Sequence, residues 1–305
     1  MSGQVSLISS ARPVEALLAD QATPAPLRAR LLLARSIRDY ASRELKLPDN
    51  GSYRSYADIG RPYAVWNVVA APEFALEPLQ SCFPVAGCVS YRGFFAQADA
   101  ERYAAGLRAQ GYDVYVYGVT AYSTLGSFDD PLLSSFIRAP DAELARLIFH
   151  ELAHQVAYVK DDSTFNESFA VTVEREGVRR WLLTTGRGLA GWLEAEERNR
   201  QLVAEIQQSR ARLEQLYRSR IAVEAMRERK RSELEALKAK LQGRFQGAAP
   251  NNAFLASVAT YTELVNEFEQ LLQENDGDLA RFYAQVKRYA ASAPSNRGPL
   301  SKPSP

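Results

Sequence analysis

Pro140-Asp-Ala-Glu-Leu-Ala-Arg-Leu-Ile-Phe-His150-Glu151-Leu-Ala-His154 is the stretch from which the rest of the chain is read. Leu144, Leu147, Ile148 and Leu152 recur at helical spacing, and Pro140 followed by Asp141 is a helix start. The pattern predicts an amphipathic helix with H-E-x-x-H in its middle. Residues four apart share a helix face, so both imidazoles can meet one metal ion, and Glu151 stands where it can polarise a metal-bound water. The whole chain has two histidines, both in this motif, which leaves little room for chance pairing. The blander alternative is a structural histidine pair on a helix.

A catalytic zinc takes three protein ligands and keeps one position for water. With histidine used up, the third must be Asp, Glu or Cys. Lys160-Asp-Asp-Ser-Thr-Phe165 reads as a turn, and Asn166-Glu-Ser-Phe-Ala-Val-Thr-Val-Glu-Arg-Glu-Gly177 as a second helix. Glu167, Ala170, Val171 and Glu174 share one of its faces, and a short connection makes the two helices neighbours. Glu167 is the first candidate ligand. Glu174, two turns on, suits a place behind the ligands, orienting a histidine through its ring N–H. Asp161 and Asp162 read as loop or cap residues.

His150-Glu-Leu-Ala-His-Gln with Asn166-Glu-Ser-Phe-Ala resembles the gluzincin clan of metallopeptidases, among them thermolysin and the aminopeptidase N type. That resemblance implies Glu167 as the third zinc ligand. More closely, the chain resembles a family of bacterial predicted aminopeptidases, many of them lipoproteins. The segments that carry this are Cys82-Phe-Pro-Val-Ala-Gly-Cys88 through Phe95, Ala121-Tyr-Ser-Thr-Leu-Gly126 through Pro131, the metal motif, and Asn251-Asn252 with Ser257-Val-Ala-Thr-Tyr261. It implies a zincin-like catalytic domain holding one Zn2+, with peptides as substrates. It also implies a periplasmic or lipid-anchored setting. Met1-Ser-Gly-Gln-Val-Ser-Leu-Ile8 itself lacks the charged and apolar regions of a signal peptide, and a mature form or a displaced start both remain open.

The chemistry assigns further roles. Glu151 is the expected general base. No histidine remains to stabilise an oxyanion, so a tyrosine or arginine is needed; Tyr261 is the first candidate, with Tyr122, Tyr158 and Arg92 as alternatives. Gluzincins bind extended peptide along an edge strand ahead of the metal helix. By resemblance that role falls to Tyr122, Ser123, Thr124, Leu125 and Gly126, an ordinary hairpin strand being the alternative. An aminopeptidase also needs carboxylates for the α-ammonium, and Glu73, Glu77, Asp129 and Asp130 are available. Cys82 and Cys88 are a candidate disulfide across a Pro/Gly turn, with free thiols as the alternative.

The remainder fits an α+β protein, mostly helical with a small mixed sheet. Tyr63–Ala71 and Tyr112–Gly118 read as strands, residues 96–110 as a helix stopped near Gly111, and residues 1–50 as mainly helical. From Leu189 to Leu241 no proline occurs, and Leu202, Ile206, Leu213, Leu216, Leu234, Leu237 and Leu241 repeat at three and four. This predicts a coiled-coil-like hairpin at 189–243, turning near Tyr217–Ile221 and open to a protein partner. Its Arg227, Arg229, Lys230 and Arg231 read as a solvated charged face. A last helical region follows from Asn252, broken near Asn275-Asp-Gly277. The expected division is a catalytic domain at 1–188, a helical region at 189–290 whose last segment can complete the active site, and a disordered Ser/Pro-rich tail at 291–305. Net charge is +1, which gives no electrostatic footprint for nucleic acid, and no apolar run reaches the length of a membrane span. Two functions compete: a zinc aminopeptidase of short peptides, and a non-catalytic envelope or scaffold protein with a structural metal. Glu151 favours the enzyme, since a structural zinc site has no use for a general base.

Overall fold

A computed structural model of the chain describes residues 10–83, 87–121, 124–241, 249–292 and 300. In chain order its elements are β1 (Arg12–Pro13), α1 (Val14–Ala19), α2 (Ala25–Arg43), β2 (Ser55–Ala57), β3 (Val65–Ala71), β4 (Ser81–Phe83), β5 (Gly87–Val89), β6 (Arg92–Phe94), α3 (Gln97–Ala109) and β7 (Asp113–Val119). There follow β8 (Leu132–Leu133), α4 (Asp141–His154), α5 (Ser163–Thr185), α6 (Leu189–Tyr217), α7 (Val223–Leu241), α8 (Asn252–Thr262), α9 (Val265–Glu274) and α10 (Leu279–Ala291). The class is α+β, as the sequence pattern implies. Most of the expected tail lies outside the described residues.

Helix α4 forms where the sequence marks it. Pro140 precedes it, Asp141 and Glu143 occupy the first turn, and Leu144, Ile148, Phe149 and Leu152 are fully buried. Acidic residues there complement the helix dipole. The helix ends at His154, where the Gln155 N–H turns back to Leu152 and Ala153. H-E-x-x-H therefore fills its last turn, one turn later than the periodicity suggested, and the local turn beginning at Gln155 stops it.

Helix α5 starts three residues earlier than expected, because the Asp162 carboxylate accepts the Phe165 N–H and caps it. It runs to Gly186, whose left-handed backbone (φ 66°) supplies the stop. The loop between α4 and α5 is pinned by Asn166. Its Oδ1 accepts the Val159 N–H at 2.7 Å and its Nδ2 donates to the Val159 carbonyl at 2.8 Å. These two helices pack against each other more extensively than any other helix pair. Behind them lies an aromatic core in which Phe165 and Phe169 meet Phe268 of α9 with ring centroids 5.2 and 5.6 Å apart.

The sheet beside α4 has strand order β6-β3-β7 and is antiparallel throughout; parallel pairing occurs between β2 and β8, in a separate sheet ordered β1-β2-β8. Alternation along β3 divides its side chains. Val68 and Ala70 pack on Ala100, Ala104 and Leu107 of α3, whereas Val65 and Asn67 face a cavity at the end of α4.

The hairpin turns between Tyr217 and Val223. Ile206, Leu213, Leu237 and Leu241 close a core with Phe254 and Leu255 of α8. Two members of the charge run do more than meet solvent. Lys230 Nζ donates to Asp113 at 2.7 Å and to the Glu73 carbonyl at 2.8 Å, and Arg227 pairs with the Glu73 carboxylate at 2.6 Å. The late helices break once more than expected, at Glu263–Leu264, where the Leu264 N–H reaches the Ser168 hydroxyl at 3.2 Å. That extra break lets α8 and α9 pack separately on α5. Among the described residues, no helix is long and apolar enough to cross a membrane.

Candidate metal centre

The last turn of α4 and the second turn of α5 bring three side chains together. His150 Nε2 lies 3.2 Å from His154 Nε2 and 3.2 Å from Glu167 Oε2, and His154 Nε2 lies 3.7 Å from the same carboxylate oxygen. Ligands bound at about 2.0–2.1 Å in a tetrahedral zinc site lie about 3.3 Å apart. Two imidazole nitrogens and a carboxylate oxygen at this spacing fit one such ion. The three residues are His150, His154 and Glu167, all buried.

Behind His150 stands a second carboxylate. Glu174 Oε2 is 2.8 Å from His150 Nδ1 and 3.0 Å from Arg146 Nη1, while Arg146 also holds Glu143 at 2.5 and 2.7 Å. Burial pushes Glu174 towards its neutral form, but the Arg146 guanidinium, the hydrogen bond and charge of His150 and the charge of Arg175 together outweigh this and hold the carboxyl below its usual range. Glu174 thus accepts the Nδ1 proton and leaves Nε2 facing the cluster. Arg146 stands four residues before His150, as His154 stands four after it. That spacing is the signal by which the sequence offers Arg146.

The local electrostatics suit a cation. Burial draws His150 towards neutrality, yet hydrogen bonds to Glu167 and Glu174 and their charges outweigh it and lift its pKa to about 10. The paired carboxylates thus stabilise positive charge at this point. Burial takes His154 down to about 4, keeping it the neutral imidazole that ligates metals. Among the described residues its buried Nδ1 has no hydrogen-bond partner. Burial raises Glu151 to about 7, the range of a usable general base.

The cluster opens onto a cavity of about 340 Å³ whose lining includes His150, Glu151, His154, Glu167, Tyr91, Tyr158 and Tyr261 together with Val65, Asn67, Val119 and Ala121. Helix α8 brings Tyr261 there. Its ring lies nearly parallel to that of His150, with centroids 6.5 Å apart, and its hydroxyl bonds that of Tyr117, which in turn receives Asn67 Nδ2 at 3.4 Å. Tyr91, between β5 and β6, reaches the same wall and was not singled out from sequence, where nothing separates it from the other tyrosines. Arg92 turns away; its guanidinium lies 4.8 Å from the centre of the Tyr103 ring.

Of the expected substrate-edge residues, Leu125 lines this cavity, but the local structure differs from the expected strand. Thr124, Leu125 and Gly126 form a turn and not an edge strand: the Thr124 N–H is spent on Asp130, and Leu125 and Gly126 both have positive φ, 55° and 79°. Tyr122 and Ser123 lie outside the described residues. Glu73 is held by Arg227, and none of Glu73, Glu77, Asp129 and Asp130 lines the cavity. Cys82 and Cys88 face each other across β4 and β5 and are joined in a disulfide. That hairpin leans on the loop after α4 through the Cys88 N–H, which donates to Asp161 at 2.6 Å.

The model of a family described as "Putative aminopeptidase" matches residues 1–299. No curated protein and no solved structure matches the chain.

Proposed function

The chain belongs to the family of that description, and from this premise we propose that it is a zinc-dependent aminopeptidase of the gluzincin type acting on short peptides. The observation that carries the reading is the spacing of His150 Nε2, His154 Nε2 and Glu167 Oε2, which matches the edges of a tetrahedral zinc site. These three residues would hold one Zn2+, which when bound supplies Lewis-acid chemistry, polarising a carbonyl and acidifying water.

The remaining work belongs to the chain's own groups. Glu151, with its pKa near 7, accepts a proton from the attacking water at its carboxylate and passes it to the departing amine nitrogen. Glu174, fixed by Arg146, keeps a proton on His150 Nδ1 and so keeps the ring oriented. The hydroxyl of Tyr261, steadied by Tyr117, donates to the carbonyl oxygen as negative charge develops on it. On this reading the catalytic unit comprises residues 1–188 together with α8, which carries Tyr261.

Hydrolysis of aminoacyl anilides by zinc-loaded protein tests the proposal. Wild type is expected to cleave free-amino substrates, and Glu151→Gln to lose that activity while keeping its zinc. Cleavage of amino-acetylated peptides alone would reject the aminopeptidase assignment and leave a different peptidase. Full activity in Glu151→Gln would reject the mechanism.

A further inference from the structure

Part of the cavity wall is built from the face of the β6-β3-β7 sheet, through Val65, Asn67, Gly93 and Val119. Asn67 stands in the middle of a cross-strand row, paired with Gly93 on one side and Tyr117 on the other, and Val65 pairs with Val119. Gly93 leaves a gap in this row. A Cβ built on it would stand 3.1 Å from Val65 Cγ1 and 3.4 Å from Asn67 Oδ1. Its backbone lies outside the left-handed region, so the strand itself does not demand glycine there. What a side chain at position 93 would remove is room in the cavity.

The sheet residues of the lining are uncharged. Among the described residues the lining has no lysine or arginine, and its carboxylates are Glu151 and Glu167, which belong to the H-E-x-x-H motif and the metal cluster. A charged side chain reaching the sheet would be buried without a partner, a costly arrangement. At about 340 Å³, the space sits near the lower limit of about 300–1,000 Å³ for small-molecule sites. It suits one residue and its peptide bond, not a long peptide.

Resting on the aminopeptidase reading, we propose that this sheet face is the subsite for the side chain of the substrate's amino-terminal residue, that it selects uncharged branched or aromatic side chains, and that Gly93 sets its depth. Val65, Val119 and Ala121 supply the apolar contact. Asn67, tied to the Tyr117 hydroxyl, forms the floor.

Two readouts test this. The first is binding of L-leucine amide, L-alanine amide and L-lysine amide to zinc-loaded Glu151→Gln by calorimetry; the second is kcat/KM for the matching anilides with wild type, Gly93→Ala and Gly93→Val. A methylene in an apolar pocket is worth about 10–200-fold in selectivity, so leucine is expected to exceed both alanine and lysine at least about tenfold in each readout. Gly93→Val, a residue suited to strands, is expected to cut the leucyl-to-alanyl ratio at least about tenfold, with Gly93→Ala in between. Lysine equal to leucine in wild type overturns the subsite, whether or not the variants fold. A folded Gly93→Val with an unchanged ratio overturns the role of Gly93. If the amides bind in the expected order but no anilide is cleaved, the aminopeptidase reading fails and the subsite stands.

Discussion

Gly177 lies inside α5, where glycine costs helix stability, and its place is explained by what it touches. A Cβ there would come within 2.8 Å of both Phe149 Cδ2 and Leu45 Cδ1. Leu45 ends in a flexible methyl, but Phe149 is a fully buried ring immediately before the first metal-site histidine. Replacing Gly177 with alanine gains about 1 kcal/mol of helix propensity. The overpacking it introduces costs about 1–3 kcal/mol. The expected balance is a loss of about 1 kcal/mol, or about 1.5–2 °C in Tm for a chain of 305 residues. The relaxation that relieves the clash moves Phe149 and with it His150, so zinc affinity should fall as well. Thermal melting and zinc titration of Gly177→Ala read both effects. A rise in Tm with unchanged zinc affinity would show that propensity wins and that the close approach of α4 and α5 does not position the site.

Other predictions follow from single contacts. Glu174→Gln removes the charged acceptor from His150 Nδ1 and from Arg146, and should weaken zinc binding about 10–100-fold in a competition titration with a chromophoric chelator. Asn166→Ala leaves the buried Val159 N–H without its partner, while the Val159 carbonyl keeps the Asp162 N–H at 3.3 Å. It should cost about 1–3 kcal/mol in urea unfolding, and a value near zero would deny that this side chain fixes the loop before Glu167. Joint replacement of Cys82 and Cys88 by serine opens a bridge with a sequence separation of 6. Loop-entropy reasoning gives a loss of about 2 kcal/mol, measured against the oxidised protein, and an equal melting temperature would refute it.

Much of the candidate metal centre was legible because its parts are local. Two histidines four residues apart and a glutamate near the start of the next helix need only helical periodicity and a short loop to be brought together. The strands that wall the cavity could be recognised by composition, but not their order, because β6 pairs with β3 across intervening segments and carries no periodic signal in three residues. Asn67 and Gly93 gain their meaning from that pairing alone. The strand expected at Thr124–Gly126 is a turn for a physical reason: Asp130 captures the Thr124 N–H, and two residues with positive φ turn the chain, leaving Leu125 on the cavity wall. Tyr261 could be suggested by its segment, whereas Tyr91 reaches the same wall from a short connection with no local pattern to mark it. Arg227 and Lys230 read as solvated because their partners, Glu73 and Asp113, are more than 100 positions away in sequence.

The central claim is that His150, His154 and Glu167 together hold one metal ion. Calorimetric titration of chelator-stripped protein with zinc tests it most directly. The account predicts binding of one zinc per chain in wild type and in Glu151→Gln alike, with affinity at least about 100-fold weaker in Glu167→Ala, since a carboxylate ligand is lost outright. Equal zinc affinity in Glu167→Ala and wild type, or no binding by folded wild type, would contradict it.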